Sequence, residues 1–204
     1  MDAGEWDERY RASELVWSAG PNQFVAAELS DVAPGRALDL AAGEGRNAIW
    51  LARRGWRVTA VDFSQAGLDK GRILGEGLDI DWVCADATTW AGDPDGEGYD
   101  VCLVAYLQLT ADERRAAVRR AYDSVRTGGT FLWISHDLSN FSEGVGGPTD
   151  PAVLMTAEDV VGDLDGHAFD VLRAGRVARM APDGHREDSP ATAWDCLVRL
   201  VRRD

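Results

Sequence analysis

Residues 37–63, ALDLAAGEGRNAIWLARRGWRVTAVDF, constrain the fold of this chain more than any other stretch. A short apolar run carrying one acid, Asp39, meets a glycine-rich turn containing Gly43 and Gly45. An amphipathic stretch follows, then a second apolar run, residues 58–61, ending in Asp62. Strand, tight turn, helix, strand, acid is the order of a nucleoside-binding half of a doubly wound sheet. Glycines in such a turn let backbone approach a ligand where a side chain would block it. An acid at the tip of the second strand can accept hydrogen bonds from both ribose hydroxyls.

Two kinds of domain share this outline. Dinucleotide-binding turns read G-x-G-x-x-G/A, and Gly43-Glu44-Gly45-Arg46-Asn47-Ala48 fits, although that pattern alone is a weak signal. The acid four residues before the first glycine separates the two. Asp39 would repel a pyrophosphate, whereas it attracts an ammonium group. The segment LDLAAGEGR resembles the first motif of class I S-adenosylmethionine (SAM) methyltransferases, where that acid serves the ammonium end of the methionine moiety. Ala41 stands where glycine is usual in that family and Ala42 where cysteine often sits, and alanine is small enough for the same close approach.

Three further segments carry the resemblance, in order, through residue 136. IDWVCADAT (80–88) is a mostly apolar run ending in Asp86, the position that in this family accepts from the exocyclic amine of adenine, with the next amide, that of Ala87, donating to the ring. YDVCLVAYLQL (99–109) is similar to the fourth strand, whose end forms the floor beside the methyl group, and GGTFLWISH (128–136) to the fifth. The resemblance implies an α/β, single-domain, Rossmann-like fold. Its sheet is mostly parallel and seven-stranded with an antiparallel last strand, and helices cover both faces. It also implies SAM as cofactor, S-adenosylhomocysteine as product and no metal. The implied cofactor set is Trp17, Asp39, Ala41, Gly43, Arg46, Asn47, Asp62, Phe63, Asp86, Ala87 and Ala105.

Length and charge bound the rest. At 204 residues the chain fits one domain able to bury well over half its unfolded surface. With 35 acidic against 21 basic residues and a net charge of −14, long-range repulsion opposes binding to nucleic acid or an anionic membrane. The arginines at 114, 115, 119 and 120 read as the solvated face of a helix. Cys84, Cys102 and Cys196 lack metal-ligand spacing; Cys84 and Cys102 fall in expected strands and read as buried apolar residues. An odd cysteine count without a signal peptide suggests a reducing cytoplasm, and no apolar run approaches the ~20 residues that span a bilayer.

Residues 1–35 are expected to form a helical cap over the cofactor site, and 36–204 the core, with an acceptor loop at 136–155. Strands are expected at about 36–41, 57–61, 79–84, 99–105 and 129–135, and helices at 46–54, 64–74, from Thr110, and near 157–163. Ser64 suits an N-cap and Gly75 a C-cap, while Thr110-Ala-Asp-Glu113 reads as a capping box. Residues 136–151 look irregular. Two period-2 segments then follow, separated by PDGHREDSP, with Trp194, Cys196, Val198 and Leu200 on one face of the last. An antiparallel pair closing a parallel sheet matches the family's ending.

Methyl transfer from a sulfonium needs in-line placement of acceptor, methyl and sulfur, and an unprotonated acceptor, so no invariant catalytic signature is expected. His136, directly after the fifth strand, is placed to act as a general base with Asp137 as orienting partner, or simply to bond local backbone. Tyr106 either flanks the methyl group or packs. Trp17 and residues 22–24 are candidates for a lid; Arg46 and Asn47 serve the cofactor carboxylate or the helix cap. His167 and His185 read as structural or surface residues. The N-terminal WDERY segment, GRN after the glycine turn and the loop after strand five are similar to small bacterial methyltransferases of the tellurite-resistance and thiopurine type. That likeness implies a small soft acceptor such as a thiol, selenol or tellurium oxyanion, with His136 and Arg179 nearest to it; Tyr106, Asp137 and Asn140 complete the expected acceptor set. Transfer to nitrogen or oxygen of a small metabolite, an NAD(P)-dependent oxidoreductase, and a silent SAM-binding module are the alternatives, with the chain a monomer or homodimer. Asp62→Ala should weaken SAM binding by about 2–3 kcal/mol through lost charge-assisted bonds, and unchanged affinity in calorimetry would remove Asp62 from the site.

Overall fold

The computed structural model describes residues 2–93, 96–183 and 186–204, with the side chains of 181–190 left aside, so His185 lies outside the described residues. One sheet organises them. Its strands are β1 (Arg36–Leu40), β2 (Arg57–Asp62), β3 (Ile80–Cys84), β4 (Tyr99–Ala105), β5 (Val125–His136), β6 (Phe169–Asp183) and β7 (Arg186–Arg202). Across the sheet they run β3-β2-β1-β4-β5-β7-β6. The first five pair in parallel, and β7 lies antiparallel between β5 and β6. This is the expected architecture, mostly parallel and closed by a reversed strand.

Near-continuous apolar sequence in β1, β4 and β5 follows from burial on both faces. On one face Leu38, Leu40, Cys102, Val104, Phe131 and Trp133 pack under α5 (Ala111–Asp123) and α7 (Ala157–Gly162). On the other, Ala37, Val58, Ala60, Val101, Leu103 and Ile134 meet α2 (Gln23–Leu29) and α3 (Arg46–Ala52). Local chemistry sets the helix starts. The Ser64 hydroxyl accepts from Gly67 N at 3.1 Å to open α4 (Gln65–Leu74), and the Thr110/Glu113 box opens α5. Asp7, on α1 (Ala3–Ala12), accepts from Ser64 Oγ at 2.5 Å and Ala66 N at 3.0 Å, tying the N-terminal helix to the start of α4.

Several expectations shift. β5 begins at Val125 because residues 126–129, with Gly128 at φ 78°, form a bulge, and pairing with β4 resumes at Thr130. The stretch expected to be irregular holds a short helix, α6 (Asn140–Glu143), and a 3-10 turn at Pro151–Val153. Cys84 is exposed because β3 is an edge strand. Arg114 is buried, its Nε donating to Asp163 Oδ2 at 2.7 Å, so the arginine cluster on α5 partly faces inward; Arg119 also reaches Asp163, through its carbonyl at 2.8 Å.

Gly45 shows why the turn after β1 needs glycine. It adopts φ 74°, and a Cβ there would overlap the Trp82 indole, which wedges between Gly45 and Gly71. Gly45→Ala should therefore cost roughly 2–4 kcal/mol, a positive-φ penalty plus overpacking. Gly77→Ala, at φ 79° with open space around it, should cost only about 1 kcal/mol. Urea unfolding of both variants measures the difference, and equal losses would mean Trp82 yields freely.

Candidate functional site

Sheet order reverses between β1 and β4, so no crossover covers their carboxyl ends and a crevice opens there. Residues following these two strands, Ala41 at φ 67° and Tyr106 at φ 63°, are the only non-glycine residues with positive φ among those described. For a tyrosine this is a strained conformation. Glycine-like backbone at Ala41 explains why a still smaller residue is usual at that point of the motif.

A cavity of about 730 Å³ occupies the crevice. Trp17, Ala41, Gly43, Arg46, Asn47, Asp62, Phe63, Asp86, Ala87 and Ala105 line it. Asp62 is anchored at the tip of β2, its two oxygens accepting from Gly43 N and Ser64 N, each at 2.8 Å. Burial raises its pKa, and those bonds offset part of the rise. Asp86 is held by Thr88, whose N and Oγ1 both donate to Oδ1 at 2.7 Å. The Asn47 side chain accepts from Asn22 N at 2.9 Å, joining α3 to the start of α2, where Asn22 is the cap.

Asp39 alone of the expected cofactor set is not on the cavity wall. It lies beneath the glycine turn, 1% exposed, with Oδ2 accepting from Ala48 N at 3.0 Å and Oδ1 without a partner. Burial pushes its pKa up to about 7, helped by the negative charge of Asp62; the Ala48 bond and Arg46 pull the other way. An unsatisfied buried carboxylate is a site that suits a cation.

The N-terminal segment completes the wall. Trp6, Tyr10 and Trp17 border the cavity, and Trp17 Nε1 donates to Tyr10 Oη at 3.3 Å. Glu44, buried within the glycine turn, accepts from Val16 N at 3.0 Å, Trp17 N at 3.2 Å and Lys70 Nζ at 3.1 Å.

A second cavity, about 960 Å³, adjoins the first and shares Trp6, Trp17, Arg46, Tyr106 and Gln108 with it. His136 and Arg179 line it, with Arg9 and residues 145–150. Asp137 and Asn140 do not. The Asp137 carboxylate turns back to Ser139 (N at 2.9 Å, Oγ at 2.6 Å), and Asn140 bonds Gly146 O at 2.8 Å and Trp194 N at 2.7 Å. Both brace the loop instead of facing an acceptor. His136 has a different acid beside it, Asp195, with Nδ1 3.3 Å from Oδ1. Asp195 also accepts from Tyr106 Oη at 2.8 Å and Arg179 Nε at 2.7 Å. Burial alone would raise the Asp195 pKa, but His136, Arg179 and Tyr106 together hold it below the ordinary range. Burial and the nearby Asp195 charge push the Tyr106 phenol well up, so it is a neutral donor. Nothing local in the sequence singles out Asp195, since its partners lie just after β4, in β5 and in β6. His167 sits at the entry to β6, with Nδ1 3.2 Å from Leu164 O.

Residues 37–129 match the methyltransferase domain family. The match runs from β1 into β5, the parallel part of the sheet. The chain is 32% identical over 121 residues to the demethylmenaquinone methyltransferase of Clavibacter sepedonicus, a match covering 59% of this chain and 47% of that protein. It thus aligns with about half the length of that relative. Two solved structures share the fold. One is the N-methyltransferase NodS of Bradyrhizobium japonicum WM9 with S-adenosylhomocysteine, with a TM-score of 0.73, 17% identity and 100% of both chains covered. The other is TehB of Haemophilus influenzae, with a TM-score of 0.71, 16% identity, and 90% of this chain and 63% of that one covered. Among the described residues no helix is long and apolar enough to cross a membrane.

The Asp39 environment has a measurable sign. Its folded pKa lies above the ordinary 3.8, so between about pH 4 and 7 the folded state binds more protons than the unfolded one, and Asp39 makes stability fall as pH rises. Asp39→Asn, which can still accept from Ala48 N, should raise the melting temperature of the ligand-free protein at pH 8 but hardly at pH 4. A variant melting like the parent at both values would show that Asp39 is not desolvated.

Proposed function

We propose that this protein is a methyltransferase that moves a methyl group from SAM to a small-molecule acceptor, a thiol or similar soft nucleophile that carries an anionic group. What supports the reading most is the pair of adjoining cavities with Tyr106 in their common wall. The cofactor takes the smaller one. There Asp62 meets the ribose hydroxyls, Asp86 accepts from the adenine amine, and the Ala87 amide donates to the ring. Asp39, whose Oδ1 has no partner, answers the ammonium end from beneath the turn. Residues 1–35 act as a cap through Trp6, Tyr10 and Trp17. Bound SAM supplies an already activated methyl group, and its transfer leaves a neutral thioether.

The acceptor takes the larger cavity. Arg9, Arg46 and Arg179 line it beside one wall acid, Asp150; Arg179 is paired with the buried Asp195, so the five groups leave an excess of one positive charge. A positive recess in a chain of net charge −14 concentrates an anionic ligand against the field of the whole molecule. His136 is the general base in this reading. A histidine at neutral pH removes a proton from a thiol, with a reference pKa of about 8.5, far more readily than from an alcohol.

Calorimetry with SAM and S-adenosylhomocysteine, followed by turnover on paired acceptors, tests both halves. A mercapto-carboxylate should be methylated with kcat/KM about tenfold above its uncharged amide, the worth of one charge-assisted contact of ~1.4 kcal/mol. Arg9→Ala should shrink that ratio without altering SAM affinity. Equal turnover of acid and amide would sink the anionic acceptor, and failure to bind SAM would sink the enzyme reading itself.

A further inference from the structure

Four strands adjacent in the sheet each bring one side chain to the base of the larger cavity: Tyr106 after β4, His136 from β5, Asp195 from β7 and Arg179 from β6. The central one, Asp195, is 0% exposed. A buried carboxylate is costly unless paired, and an arginine alone would satisfy a purely structural acid. Asp195 instead gathers three groups that all line the acceptor cavity. Tyr106 Oη and Arg179 Nε share Oδ2, while Oδ1 faces His136 Nδ1 and accepts a longer contact, 3.4 Å, from Arg179 Nη2. His136 and Asp195 are also direct cross-strand partners, the last pair of the β5–β7 ladder, so backbone pairing fixes their spacing.

We infer that Asp195 is a positioning residue for methyl transfer. It holds His136 with the proton on Nδ1, so that Nε2 is the basic atom presented to the acceptor. This rests on the reading of His136 as the general base. A neutral imidazole keeps one proton, and a carboxylate beside Nδ1 draws it there. Nδ1 is buried, with Gly147 packed over it, whereas the side chain keeps 13% exposure and lines the cavity. Nε2 is therefore the nitrogen left to meet an acceptor. The 3.3 Å approach of Nδ1 to Oδ1 is not aligned as a formed hydrogen bond, and a small rotation of the ring aligns it, as catalytic contacts often tighten only with ligand bound.

The proton and electron count closes. The acceptor gives its proton to Nε2, and its freed lone pair bonds the methyl carbon as the methyl–sulfur bond breaks toward sulfur. The imidazolium, now protonated on both nitrogens, is stabilised by the Asp195 charge until Nε2 releases the proton to water. Around the ring the charged or titratable neighbours are Asp195 on β7, Arg179 on β6 and Tyr106 after β4. Arg179 neutralises Asp195 in part, and Tyr106, its ring centroid 4.8 Å from that of His136, fixes the ring plane.

Nitrogen-15 NMR of His136 in the full-length parent tests the tautomer without any substitution. The proposal expects the neutral ring protonated on Nδ1, and a ring protonated on Nε2 would overturn it. Kinetics supply the second arm. Asp195→Asn should lower kcat about 10–100-fold while SAM affinity stays within twofold. In a His136→Gln background the same substitution should lower kcat by less than threefold. An equal loss in both backgrounds would make Asp195 merely structural. Full turnover by His136→Gln would instead remove the base reading beneath the proposal, whatever the tautomer. Should Asp195→Asn fail to fold, the parent spectrum decides.

Discussion

Reversal of strand order between β1 and β4 is the constraint on which the site depends. It leaves two neighbouring strand ends uncovered, and both continue through backbone that L-residues rarely adopt, at Ala41 and Tyr106. The Ala41 turn lets the chain double back beneath Asp62, whose carboxylate ties the turn to β2 through Gly43 N. Strain at Tyr106 has a different use. It throws the ring out of the strand and into the wall between the two cavities, where its hydroxyl reaches Asp195. Such conformations persist only where surrounding structure over-determines them. Here the Tyr106 amide bonded to Ile134 O at 2.8 Å and the phenol bonded to β7 do so.

Two buried acids show how environment assigns opposite roles to one functional group. Asp39 and Asp195 are both almost free of solvent, yet one pKa is raised to about 7 and the other lowered. Burial acts in the same direction on both, so partners decide. Asp39 has one backbone donor, and Arg46 only at a distance; Asp195 has Arg179 and Tyr106 in direct contact and His136 beside it. An acid short of donors is suited to receive a cation, whereas one already supplied is suited to hold its neighbours still.

Much of this was legible in the sequence because it depends on short-range pattern. The glycine turn, the acid-tipped strands and the capping residues at Ser64 and Thr110 are local signals, and the elements they mark lie within a few residues of expectation. Pairing across the sheet is not local. That His136 would face Asp195, 59 positions on, is set by the register of β7 against β5, which alternation alone leaves open. Proximity in sequence favoured Asp137, but successive strand residues point to opposite faces, and its carboxylate turns to Ser139. Arg114 misled for a similar reason: α7 and the turn after it supply Asp163, and that packing pulled one arginine of a charged helix inward.

The same acids also determine how tightly the site is closed. Glu44 sits inside the glycine turn, yet its carboxylate is spent on the amides of Val16 and Trp17 and on Lys70, the sole lysine of the chain. Lys70 in turn reaches the carbonyls of Ser13 and Glu14. Asp7 makes the reciprocal attachment, from α1 to the first turn of α4. The segment carrying Trp6, Tyr10 and Trp17 is thus held by polar contacts to the very turn that borders the smaller cavity. It is not held by a large apolar interface of its own, since along α1 Tyr10 alone is buried. Contacts of this kind exchange readily with water, whereas the sheet beneath them is packed apolar core. Rigid strand ends carry the groups assigned to the reaction in our proposal, while the segment over the cavity rests on a handful of hydrogen bonds, so it can shift without disturbing them.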